Sequence, residues 1–295
     1  PAAYPNGYDA FYLMKYEVTQ GQYAEFLNVL QGNQTAERTP PRARKYHWNR
    51  GAISLAGHEY VAAHPNRACN YLSWADAAAY ADWAGLRPMT ELEYEKAARG
   101  PADPVPDAFA WGSTTIAHGD TIFAADTTIA RSENGDTFVR GNANYTPAGI
   151  RWNGGYNATF TGGDEGAGPL RVDMFETRAH RTGGASMPGA SLREASGAGY
   201  YGAHGLSGSL FDRVVTAGDP TGRQFQGTHG DGDLSYPASA SNEDWPTMDG
   251  DGLGLRGGTR SDGPEGLRLT TREWGDYEAH YRAPGMGFRA ARTAP

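Results

Sequence analysis

At 295 residues, with a formal charge of −8 and an isoelectric point near 5.5, the chain has no basic excess with which to follow phosphates, which excludes a nucleic-acid binder. Its 41 glycines and 18 prolines exclude a helical bundle, while 39% hydrophobic residues, with 7 Trp, 17 Tyr and 10 Phe, supply a sizeable core between many turns. One cysteine, Cys69, excludes an internal disulfide framework and a cysteine-rich zinc site, and no apolar run approaches the roughly 20 residues of a membrane span.

In chain order, FYLMKYEV from Phe11 to Val18 predicts a short apolar and aromatic strand. Thr19 follows as the N-cap of a helix with Tyr23, Phe26, Leu27 and Leu30 on one face, ended by Gly32. A second helix opens at Ser73 with Asp76 as capping-box partner, and its pattern buries Trp74, Ala77, Tyr80, Ala81 and Ala84 before Gly85. A third opens at Thr90, where Glu93 repeats the box, and runs through Leu92, Tyr94 and Ala97 to Gly100. Beyond Gly100 no long helical period appears, only short apolar snippets between Gly, Pro, Asn and Asp, which predict loops and short strands. With no repeat and no linker, residues 1–295 are expected to form a single domain.

Taken in order, EVTQGQYAEFLN, NYLSWADAAAYADWAGLRPMTELEYEKAARG, FAWG, YYGAHGLSGSLFDR, LRGGTRSDG and GFRAAR resemble the signature blocks of the formylglycine-generating enzyme (sulfatase-modifying factor) family. The resemblance implies an α+β, loop-rich domain of the C-type lectin fold. It would have two to three helices and a small twisted antiparallel sheet whose last strands carry RGG and GFR. Glu17 and Thr19 would close a strand and open a helix. Arg256 with Gly257 and Gly258 would place backbone where a side chain obstructs packing. Phe288 would be core and Arg289 an ion-pair partner.

The same resemblance implies two copper-binding cysteines shortly after RGG, since a thiolate is both soft-metal ligand and redox-active group. Those positions fall near Asp262 and Leu267, and neither can do that work. Cys69 lies far away and is expected to act as a small buried hydrophobe. A related non-haem iron branch needs closely set histidines, and His47, His58, His64, His118, His180, His204, His229 and His280 include no two within a helical turn. No G-x-S-x-G elbow introduces a serine nucleophile. Calcium is the remaining inorganic expectation, as a structural ion where no cofactor is required. Asn144, Asp164 and the carbonyls of Tyr145 and Gly166 match the family's first site. Asp212, with Gly208 and Leu210, matches the second, although GSLFDR stands for the usual GNxWEW and Gly205 stands at a polar position. Asp and Asn closing turns by local hydrogen bonds would account for the same residues.

Between RGG and GFR the chain departs from the enzymes' pattern. Thr259, Arg260, Ser261, Asp262, Glu265, Glu273, Trp274, Tyr277, Glu278, His280, Tyr281, Pro284 and Met286 are interleaved with glycines, as rings and adaptable polar groups are in a paratope. That layout resembles the variable proteins of diversity-generating retroelements. It implies a non-enzymatic ligand- or receptor-binding protein whose residues 254–289 carry a diversified face. Arg268, Arg272 and Arg282 would be scaffold, and Trp274 and Tyr277 exposed. The implied partner is a protein or cell-surface ligand, and the implied setting a bacterial surface, the extracellular space or a phage. A metal- and oxygen-dependent oxidoreductase of the same superfamily and an assembly protein that buries this face are the competing expectations.

Overall fold

The computed structural model describes residues 3–39, 51–119, 141–146, 168–177, 187–247, 251–277 and 281–295. The expected first strand is shorter than its apolar run: β1 covers Phe11–Leu13. Met14 and Val18 still donate their amides to the Ala290 and Phe288 carbonyls, so the whole run lies along the C-terminal strand. Helix α1, Gln20–Val29, starts at Thr19, whose hydroxyl accepts from the Gln22 amide while the Gln22 side chain returns to Thr19 N. It buries Tyr23, Phe26 and Leu27 as its spacing predicts. The helix closes before the expected Gly32, at Val29 with half-buried Leu30 as C-cap, and Gly32 instead leads into α2, Asn33–Arg38, a helix with no side-chain cap to announce it. Next comes a hairpin that the sequence reading passed over, β2 (Ile53–Ala56) against β3 (Glu59–Ala62), turned at Gly57 with φ +68°.

Helix α3, Trp74–Trp83, has the predicted Ser73–Asp76 capping box. Burial extends around it to Ala78, Ala79, Asp76 and Asp82, because it lies inside the molecule rather than on it. β4, Arg87–Pro88, leads into α4, Glu91–Arg99, capped by Thr90 and Glu93. Glu93 also forms a buried bidentate pair with Arg87, at 2.6 and 2.8 Å. Tyr94 and Ala97 are buried but Leu92 is exposed, so the helical face is narrower than the pattern predicts. A further short helix, α5, Leu192–Ser196, is capped by Ser191.

β5 (Asp212–Val215) pairs antiparallel with β6 (Leu253–Arg256), and β7 (Ala290–Thr293) sits between β1 and β4. The architecture is the expected α+β kind with small antiparallel sheets and long loops. RGG closes β6 and GFR opens into β7, but they belong to separate sheets. Trp74, Tyr80, Phe26, Phe225 and Phe288 fill one core cluster; Met89, Tyr94, Phe109, Leu206 and Leu267 fill a second. Loops are ordered by buried side chains. The Asp82 carboxylate accepts from the amides of Asp231 and Ser241 at 2.9 Å and Gly232 at 3.3 Å, which ties a distant loop to α3.

Candidate functional site

β6 delivers the C-terminal segment to the surface. The buried Arg256 guanidinium lies 4.9 Å from the Tyr94 ring centroid and donates to Glu95 (2.9 Å) and the Leu269 carbonyl (2.7 Å). Gly257 follows at φ +92°, where an added Cβ would stand 3.1 Å from the Leu206 carbonyl oxygen, so a side chain would be both strained and crowded. The Asp262 carboxylate then closes a turn, accepting from the Thr259 amide (2.7 Å) and hydroxyl (3.0 Å). Leu267 is fully buried against the second core cluster. The two positions where the resemblance places thiolates therefore hold a turn-closing carboxylate and a core leucine.

Three residues expected on the binding face are buried instead. Thr259 is held by its turn with Asp262, Met286 packs against Phe211 and Leu255, and Arg260 is drawn under the segment with Nη1 3.1 Å from the Pro284 carbonyl. Burial lowers the Arg260 pKa to about 10, which leaves it cationic at neutral pH. Trp274 and Tyr277 are half-buried rather than exposed, because they pack against the Phe211, Leu255 and Met286 cluster. Rings step outward from it, each tilted edge-on to the next: Phe211 to Trp274 at 6.1 Å, Trp274 to Tyr277 at 5.1 Å, Tyr277 to Tyr281 at 6.4 Å. Tyr281 ends the series 41% exposed, its hydroxyl 2.9 Å from that of Tyr277. Ser261, Glu265 and Glu273 are exposed and Pro284 is half-buried, while Glu278 and His280 lie outside the described residues.

The backbone beneath these rings is held by arginines. Arg282 makes a bidentate pair with the fully buried Asp76, 2.6 Å from each oxygen, as its scaffold role predicts. Arg213, which the sequence reading missed, donates to the carbonyls of Leu72 (2.8 Å) and Tyr281 (2.7 Å). Burial lowers its pKa to about 10. Its place in a buried strand, within DRVV, was the available signal.

Of the expected calcium ligands, Asp164 and Gly166 lie outside the described residues. Asn144 and Tyr145 are buried, and Asn144 turns Nδ2 to the Gly168 carbonyl at 3.1 Å, which leaves Oδ1 facing another direction. The second set does not fit a cation. Arg289 Nε lies 2.8 and 3.0 Å from the two Asp212 oxygens, so a guanidinium already occupies the acidic ligand that Gly208 and Leu210 would share. Glu17 lies beside this pair, and burial, then the nearby Asp212 charge, pushes its pKa well above the usual range. Among the described residues no three His, Cys, Asp or Glu side chains are grouped to hold a metal ion.

A family profile described as sulfatase-modifying factor enzyme 1-like domain matches residues 2–294. The chain belongs to this family. Two formylglycine-generating enzymes are similar to it over a short stretch: that of Thermomonospora curvata at 46% identity over 55 residues, and that of Streptomyces coelicolor at 44% over 57. Each stretch covers 19% of this chain and only 18% and 17% of the respective enzyme, so the reaction in their name stays with them. The solved structure of Treponema denticola variable protein 1 aligns over 96% of this chain and 84% of its own at 14% identity, with a TM-score of 0.42. This family member has a single cysteine, Cys69, buried before α3 with its thiol pushed well up by burial and then by Asp76.

Proposed function

We propose that this family member is a non-enzymatic binding protein, one domain over residues 1–295, that displays a diversified face from residues 254–289 to a protein or cell-surface ligand. The observation that carries the reading is the replacement at Asp262 and Leu267. One closes a turn and the other fills the core, and the segment that follows sets Trp274, Tyr277 and Tyr281 stepwise outward from Phe211. Rigid rings supply contact area at little entropic cost, as binding surfaces need. Anchoring arginines beneath them hold the backbone while neighbouring side chains vary. The setting that suits such a protein is a bacterial surface, the extracellular space or a phage particle. No cofactor is required; a structural calcium ion at Asn144, Tyr145, Asp164 and Gly166 would be an addition, checked by whether calcium raises the melting temperature above that in chelator.

The deciding experiment is genomic. A near-identical, adenine-rich copy of the codons for residues 254–289 beside a reverse-transcriptase gene is the expected finding. Absence of both removes the diversified reading. Within a matched template, the substituted adenines should fall in codons for Tyr281 and its exposed neighbours and spare those for Arg282 and Leu267.

A further inference from the structure

We propose that the face carried by residues 273–277 and Tyr281 recognises a cationic partner surface, one that sets lysine or arginine side chains against tyrosine rings and carboxylates. This rests on the reading of the C-terminal segment as the binding face and adds the chemistry of what it binds.

By composition the segment between Gly258 and Gly287 is close to balanced, with Arg260, Arg268, Arg272 and Arg282 against Asp262, Glu265, Glu273, Asp276 and Glu278. Folding sorts the two signs. Arg260 is buried against the Pro284 carbonyl, and Arg282 grips buried Asp76. Arg268 and Arg272, though partly exposed, are turned to carboxylates elsewhere in the chain, Asp107 and Glu95, each at 3.2 Å. All four cations are thus matched by scaffold. Of the described carboxylates in the segment only Asp262 is engaged, by Thr259. Glu265, Glu273 and Asp276 are exposed, and among the described residues their carboxylates have no ion-pair partner.

Two of those carboxylates belong to residues that neighbour the ring-bearing positions in the chain. Glu273 and Asp276 share a turn with Trp274 and Tyr277, and Tyr277 is hydrogen-bonded to exposed Tyr281. An ammonium or guanidinium approaching this face meets the negative face of a phenol ring and a carboxylate together. An anionic partner would meet exposed carboxylates that carry no ion-pair partner, and like charge is how interfaces reject wrong partners. A balanced sequence leaves its unpaired charges acidic, because each arginine, with its planar fork, is matched to a carbonyl or carboxylate of the scaffold.

The test uses the full chain and fluorescently labelled oligolysine and oligoglutamate peptides at low salt. Oligolysine should bind and oligoglutamate should not, and affinity should fall at least about tenfold between about 0.05 M and about 0.3 M salt. Glu273→Gln with Asp276→Asn should weaken oligolysine binding at least about tenfold with the melting temperature unchanged. Glu59→Gln with Glu243→Gln, exposed carboxylates elsewhere on the chain, should leave it unchanged. No oligolysine binding, or an equal loss in both double variants, overturns the proposal, the latter because net charge alone would then be responsible. The template search is independent of both results: a template found alongside absent oligolysine binding keeps the binding face and discards its cationic partner.

Discussion

Asp76 closes the capping box at Ser73 and, with the same two oxygens, holds Arg282 at 2.6 Å and Arg38 at 3.3 Å. Asp76→Ala is therefore expected to cost about 3–5 kcal/mol, because it leaves buried guanidinium groups uncompensated. Ser73→Ala, which removes only the cap, should cost about 1 kcal/mol. Denaturant unfolding of the two variants separates the roles. The ring series makes a second residue-scale prediction. Trp274→Ala should destabilise by about 1–3 kcal/mol, since the indole packs on Phe211, whereas Tyr281→Ala should stay within about 0.5 kcal/mol. Equal effects on the unfolding midpoint would mean that Tyr281 is core as well. The paratope-like composition of this segment was legible in the sequence, but which rings pack inward was not, because neither a strand nor a helix period orders them.

At the scale of elements, caps were the most readable signal. Thr19, Ser73 and Thr90 each begin a helix, because a hydroxyl that accepts the N3 amide and an N3 side chain that returns the bond act within four residues. Helix α2 has no such local device and was not legible. The loop that Asp82 holds was equally hidden, since its partners lie about 150 residues away in sequence. Asp82→Ala should strip the acceptor from three amides and cost at least about 2 kcal/mol. Hydrogen exchange should then speed up at Asp231 and Ser241; unchanged protection there would show that the loop is held by other contacts.

Across the whole molecule, buried phenols set an alkaline limit. Burial, as the largest cause in each, raises the pKa of Tyr16 and Tyr80 to about 12, with a hydrogen bond to Glu176 adding to it at Tyr16. Unfolded tyrosine ionises near 10. Between about pH 10 and about pH 12 the folded chain keeps protons that the unfolded chain releases, so stability is fully present below that window and falls as pH rises through it. Melting temperatures that stayed flat across the window would contradict the burial of these groups. The sequence by itself determined the helix starts at Thr19, Ser73 and Thr90, the family and the absence of the paired cysteines, because each depends on residue identities over short spans or in fixed order. Only the tertiary structure decided that Asp212 is committed to Arg289, that Thr259, Arg260 and Met286 turn inward, and that a balanced segment presents carboxylates outward. Those outcomes depend on which distant groups meet, and a buried charge takes the partner that the fold brings to it.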